Sequence, residues 1–294
     1  MYLLHIVVIG LLYMKRLHFC GGEKGGVGKT FFCKVLIDYY EHLNLPLIVY
    51  DLDQSNPDIF NSGLEQKLNR SRRNLLIKSS FFSDNPEYMD SADEVIYDLL
   101  EGERDVVVNL PAGSYSHMQL WWNKNSFSEL LAERNIQACY WFLLIGENFP
   151  YAERLISSWM MHVVLVRNLH LRTNWRVYDD LINHSIKTLV EQRPSHLPKY
   201  DITMIELESL SKSVADILVT KKLLIQDSYA TGCLKLLDRQ KLLTFCKIMY
   251  KELASTRKVP LENTSLLSPP AIPQSSGDDS DSSSPPEDDF YSHM

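Results

Sequence analysis

Seven short apolar runs punctuate the chain: RLHFC (16–20), LPLIVYDL (45–52), NLLIKSS (74–80), DVVVNL (105–110), ACYWFLLI (138–145), HVVLVRNL (162–169) and DITMIEL (201–207). Near-continuous apolar character, rather than alternation, is the mark of strands covered on both faces. Longer amphipathic stretches lie between most of them, at 29–43, 91–101, 116–134, 151–161 and 174–192, and two more follow at 209–225 and 234–254. This alternation predicts an α/β domain with a mostly parallel sheet and helices on both faces. No internal repeat interrupts it.

The two ends break the pattern differently. MYLLHIVVIGLLYM is apolar but shorter than the roughly 20 residues needed to span a bilayer, and it lacks the basic start and small-residue cleavage site of a secretory signal. Residues 1–13 are read as an extension from an upstream start codon, with a membrane-touching segment as the alternative. Residues 256–294 are read as a disordered acidic tail rich in Ser and Pro, with too few apolar groups to bury. The domain between them is placed at 14–255.

Charge and cysteine content narrow the setting. The net charge is −7, but residues 264–294 hold six acids and no Lys or Arg, so the remainder stands at −1. A nearly neutral body argues against strong direct binding to DNA. The five cysteines have no metal-type spacing and read as buried thiols in a reducing cytoplasm.

The first apolar run leads into GGEKGGVGKT, Gly21 to Thr30, and then into a helical stretch. Strand, glycine-rich loop and helix are the context of a phosphate loop: glycines let successive N–H groups point inward, and the helix start adds its positive dipole end. Gly25, Gly26, Val27, Gly28, Lys29 and Thr30 are the candidate nucleotide-binding residues. Lys29 is placed at the β- and γ-phosphates and the Thr30 hydroxyl on Mg²⁺. Glu23 stands where the common motif has its first glycine. The segment fits the variant K-G-G-x-G-K-[ST] at all six fixed positions, a chance event of about 10⁻⁷ at average residue usage.

KGGVGKT resembles the deviant Walker A motif of the ParA/MinD class of P-loop ATPases. The resemblance implies ATP and Mg²⁺ as ligands and a homodimer closed around nucleotide. Lys24 matches the signature lysine, which in that class reaches the phosphates of the partner subunit. Phe31 departs from the hydroxyl residue common there, a loss of about 1 kcal/mol if that residue's phosphate contact is missing.

The same resemblance assigns the acids. In DLDQSNPD, Asp51 and Asp53 are two apart and would share a face if both lay on the strand. The class implies that Asp53 orients the attacking water and Asp51 supports the metal. Each could instead cap the helix that follows. DVVVNLPAG occupies the Walker B position, where Asn109 replaces the usual aspartate while Pro111 and Gly113 are kept. A neutral amide suits Mg²⁺ less well than a carboxylate, so restoring aspartate at 109 is expected to tighten metal binding unless Asp51 already supplies the charge. Asn168, after the sixth run, is the candidate reader of the adenine edge, with a turn-forming role as the alternative.

The chain therefore reads as a slow ATPase that dimerises on ATP. Among its relatives it looks most like plasmid-borne stability and mobilisation proteins. That placement implies a role in positioning, partition or conjugative transfer of plasmid DNA through a DNA-binding adaptor or a relaxase, without stable membrane insertion. The alternative is a nucleotide-gated scaffold with little hydrolysis, favoured by Asn109. An iron-protein kind of ATPase would need cluster-ligating cysteines, and Cys139 is the only cysteine between residues 34 and 232. Arg70, Arg72, Arg73 and Lys78 read as a solvated turn. Trp121 and Trp122 are left open between core and interface.

Overall fold

A computed structural model describes residues 14–67, 74–82, 90–158, 160–171, 173–195 and 199–261 of the chain. The expected extension at 1–13, most of the tail, and Arg70, Arg72 and Arg73 lie outside the described residues.

All seven apolar runs are strands of one parallel sheet: β1 (Arg16–Gly21), β2 (Leu47–Asp51), β3 (Leu75–Ser79), β4 (Asp105–Asn109), β5 (Gln137–Leu144), β6 (His162–Asn168) and β7 (Ile202–Leu207). Their order is β3-β2-β4-β1-β5-β6-β7. Ten helices complete the fold among the described residues: α1 (Lys29–His42), α2 (Asp58–Lys67), α3 (Asp93–Glu101), α4 (Tyr115–Lys124), α5 (Phe127–Glu133), α6 (Phe149–Ser157), α7 (Trp175–Glu191), α8 (Lys212–Thr220), α9 (Ile225–Ala230) and α10 (Leu236–Ser255).

Side chains of each central strand feed two separate cores, as the period of two requires. Leu17 and Phe19 of β1, with Tyr140 and Phe142 of β5, pack against α3 to α7. Cys20, Cys139, Trp141 and Leu143 face the other way, onto α1, α8, α9 and α10. The helices thus cover both faces, and the sheet is parallel throughout.

Two buried polar links fasten α1, the helix that opens at the phosphate loop. Asp38 accepts from Gln226 Nε2 of α9 at 2.8 Å and from Tyr250 OH of α10 at 2.6 Å. On the sheet side, Trp141 Nε1 donates to His18 Nδ1 at 3.1 Å. Indole nitrogen can only donate, so the imidazole proton sits on Nε2 and faces Tyr40 OH at 2.9 Å. Tyr40 OH in turn donates to Asp105 Oδ2 at 2.6 Å.

Three element boundaries differ from the sequence expectation. The stretch 116–134 is two helices, because Ser126 takes a left-handed backbone with φ 49° between α4 and α5. The stretch 209–225 is likewise cut, at Lys222 with φ 46°, so that α9 begins where the expected helix ended. Packing also runs past residue 255. Val259 is buried, Tyr39 OH donates to Pro260 O at 2.7 Å, and Lys258 Nζ binds Asp201 Oδ2 at 2.6 Å. Buried Val259 and the Lys258–Asp201 pair together hold this segment against the domain.

Candidate nucleotide-binding site

Strand order reverses around β1, so a crevice opens at the carboxyl ends of the central strands, where open α/β sheets place ligands. The loop 21–30 occupies it. Gly26 and Gly28 have φ 72° and 98°, a conformation that favours glycine. A Cβ on Gly25 or Gly26 would meet nothing within 4 Å, so the loop borders open space there. Below it space is tight: a Cβ on Gly21 would lie 1.9 Å from Tyr140 OH. Gly28 is the N-cap of α1, so no side chain closes the helix's first N–H groups. The residues present therefore fit an anion of phosphate geometry.

The two lysines part ways. Lys29 is buried, and its Nζ donates to Lys24 O at 3.0 Å across the loop. Burial lowers its pKa, opposed by the nearby carboxylates of Asp53 and Glu23, and an anion held beside it would favour the charged form further. Lys24 Nζ instead binds Glu147 Oε1 at 2.8 Å, with 45% of its side chain exposed. Glu147 sits in a turn after β5 that is fixed by buried Asn148, whose amide donates to Leu143 O and accepts from Ile145 N. Neither Glu147 nor Asn148 was singled out from the sequence. Their only signal there is position, at the carboxyl end of a strand next to β1.

Asp51 and Asn109 lie side by side in the register of β2 and β4, and Cys20 of β1 pairs with Asn109 from the other side. Asn109 Nδ2 donates to Asp51 Oδ1 at 2.9 Å. Asp51 Oδ2 accepts from Ile59 N and Phe60 N of α2, each at 3.0 Å. Asp51 is 1% exposed and burial raises its pKa, while these hydrogen bonds pull the other way. Asn109 Oδ1 is buried without a partner. That orphaned acceptor suits a water or cation shared with bound phosphate. Among the described residues no three His, Cys, Asp or Glu side chains gather as a metal cage.

Asp53 does not share the strand face of Asp51. β2 ends at Asp51, where its pairing with Asn109 stops, and the chain turns. Asp53 Oδ1 accepts from Ser55 Oγ and from Asn56 N at 3.2 Å. Salt-bridged Lys34 and Asp58, 2.6 Å apart, tie α1 to the first turn of α2.

Beyond Asn109 the chain turns through Gly113, at φ 72°, and Ser114 Oγ donates to Pro111 O at 2.9 Å. Glu23 lies close to the N–H of Tyr115, the first residue of α4, and burial raises its pKa. Trp121 and Trp122 are both core: their Nε1 groups donate to Asp93 and Ser128.

Asn168 is at the end of β6, beside the loop. Its Nδ2 donates to Val27 O at 2.8 Å and its Oδ1 accepts from His170 N at 3.0 Å. Both sides of the amide are thus engaged with backbone, and a Cβ on Gly28 would lie 2.6 Å from Nδ2. Asn168 thus buttresses the phosphate loop, and its amide has one N–H and one lone pair beyond these two bonds, so the part expected of it at a base edge stays compatible with this geometry.

No family model matches the chain, and no curated protein does. Solved structures resemble it in fold. A ParA family ATPase from Chlorobium tepidum TLS aligns over 78% of this chain and 96% of its own, at 11% identity and a TM-score of 0.44. The MinD cell division protein of Aquifex aeolicus aligns over 84% of this chain and 100% of its own, at 14% identity and a TM-score of 0.42. A nucleotide-binding protein from Archaeoglobus fulgidus, in complex with ADP, aligns over 66% and 82%, at 16% identity and a TM-score of 0.38. No helix among the described residues is long and apolar enough to cross a membrane.

Proposed function

We propose that this chain is a nucleotide-driven switch. It binds ATP with Mg²⁺ in the loop 21–30, pairs with a second copy of itself around the nucleotide, and hydrolyses ATP slowly. Through a DNA-binding adaptor or relaxase it directs the positioning, partition or conjugative transfer of plasmid DNA. The plasmid role rests on the resemblance of DLDQSNPD and VNLPAG alone. The observation that carries the switch is the division between the lysines: Lys29 lies inside the loop, while the Lys24 ammonium rests on Glu147 in solvent.

In this reading the loop amides and Lys29 neutralise the triphosphate of the same chain. Bound Mg²⁺ would add positive charge at the β- and γ-phosphates, with Thr30 beside it and Asn109 and Asp51 reaching it through water. Asp53 orients the water that attacks. Lys24 completes the partner's site, so that association reports which nucleotide is bound. The scaffold alternative, binding without appreciable hydrolysis, is favoured by Asn109 and by the engagement of both Asp51 oxygens.

Light scattering of the full chain tests the switch. ATP is expected to double the mass, and ADP to leave it unchanged. Identical masses with ATP, ADP and no nucleotide would sink the proposal, while dimers that release no phosphate would favour the scaffold.

A further inference from the structure

A pocket of about 170 Å³ lies at the end of the sheet opposite the nucleotide loop. Met14 just before β1, Ala138 near the start of β5 and His162 at the start of β6 all line it. These strands run parallel, so their amino ends share one edge of the sheet and their carboxyl ends the other. β5 has eight residues. At about 3.3 Å each, they put roughly 25 Å between the pocket and the turn that carries Glu147.

The inner wall is apolar. Leu131, Met160 and Trp122 are buried. Trp122 Nε1 is already spent on Ser128 Oγ, 2.8 Å away, and Ser128 Oγ donates to Met160 O at 3.1 Å. Ala132 and Asn135, both exposed, give the pocket its rim. A donor is left over for a ligand. His162 Nδ1 accepts from Asp201 N at 2.9 Å, so the imidazole proton sits on Nε2. Burial, helped by nearby Lys258, lowers the His162 pKa to about 4, and the ring is neutral at neutral pH. The Nε2–H has no hydrogen-bond partner among the described residues, and 16% of the side chain is exposed, so a ligand can reach it. Tyr200, also lining the pocket, packs edge-on against the imidazole at 5.3 Å and fixes its plane.

Apolar walls with one neutral donor select an uncharged molecule with one acceptor. An apolar cavity of about 150 Å³ is large enough to take up benzene. The polarisable side chains of Met14 and Met160 suit an aromatic ring. We propose that this pocket is a second ligand site: it binds a small uncharged aromatic molecule of phenol size, with the ring between Leu131, Ala138 and Met160 and an oxygen accepting from His162 Nε2. The site stands apart from the phosphate-loop reading, so a chain that failed to bind ATP would leave it standing.

Saturation-transfer NMR and thermal unfolding of the full chain, without nucleotide, are the test. Phenol and benzyl alcohol should bind with Kd on the order of 1 mM, the range for molecules of this size. Benzene should bind about threefold to tenfold more weakly, for want of one hydrogen bond. Ala132→Trp should fill the pocket from its exposed rim and, independently, Ala138→Leu from its wall. Each should weaken phenol by about tenfold or more. His162→Phe should bring phenol down to the level of benzene. Saturating ATP should leave phenol bound. The proposal is overturned if phenol gives no signal with wild type, if both filled variants bind it like wild type, or if ATP displaces it. An undiminished preference for phenol over benzene in His162→Phe would overturn the hydrogen bond and, with it, the class of ligand.

Discussion

Lys29→Ala is expected to weaken ATP binding by the isolated chain about 10- to 100-fold, the loss of one or two charge-assisted hydrogen bonds to phosphate. Stability should not fall with it. Lys29 is a buried ammonium whose protonation is disfavoured by desolvation, so removing it relieves a cost. Lys24→Ala should behave in the opposite way. Its ammonium is exposed on Glu147, and exposed pairs contribute about 0–1 kcal/mol. Monomer affinity and melting temperature should therefore stay near wild type, while ATP-dependent association and phosphate release are lost. The comparison needs nucleotide titration at dilute protein and light scattering at high protein. A Lys24→Ala chain that still doubles its mass with ATP would remove the cross-subunit role.

Asn109→Asp is the second large effect, and the fold favours one of the two outcomes that the sequence leaves open. From the sequence, an added carboxylate tightens metal binding unless Asp51 already supplies the charge. The fold places Asn109 Nδ2 2.9 Å from Asp51 Oδ1, with both residues buried. An aspartate there would face a second carboxyl across a hydrogen-bond distance, and two such groups cannot both ionise cheaply. One would hold a proton at neutral pH, and the added charge would not appear. We expect Asn109→Asp to lose about 1–3 kcal/mol of stability without metal, from the broken amide bond and the strained pair. Mg²⁺ with ATP should recover part of that loss, and phosphate release should not exceed wild type. Thermal unfolding at pH 8 with and without Mg²⁺, alongside phosphate release, checks this. A variant as stable as wild type without metal and faster with it would restore the simpler account.

The sheet was legible because its strands are buried on both faces and so read as uninterrupted apolar runs. The loop was legible because phosphate chemistry restricts residue types at fixed spacing. What escaped depends on contacts between distant residues. Nothing local marks Glu147 as the partner of a lysine 123 residues away. Asp53 looked like a strand residue because only the pairing of Asp51 with Asn109 reveals where β2 stops. Nor does anything local show that the Asn168 amide meets Val27 O, 141 residues earlier. The breaks at Ser126 and Lys222 are left-handed residues of types that ordinarily avoid that backbone, so composition gave no warning.

The chain from Trp141 through His18 and Tyr40 to Asp105 has a consequence for proton balance. His18 Nδ1 already accepts from the indole, so a second imidazole proton has no acceptor, and it would be a charge in the core. Burial, helped by nearby Arg16, lowers the His18 pKa to about 3, against about 6.5 in an unfolded chain. Between those values the unfolded chain binds a proton that the folded chain refuses. Stability is then complete above about pH 6.5 and falls as the pH drops toward 3, by on the order of 4–5 kcal/mol from this one residue. Urea unfolding of wild type and His18→Gln across pH 4–7 measures it: the wild-type slope should flatten in the variant, and equal slopes would assign the acid sensitivity elsewhere. The network joins β1, β4 and β5 to the far end of α1, so this one buried imidazole makes the packing of helix on sheet sensitive to acid.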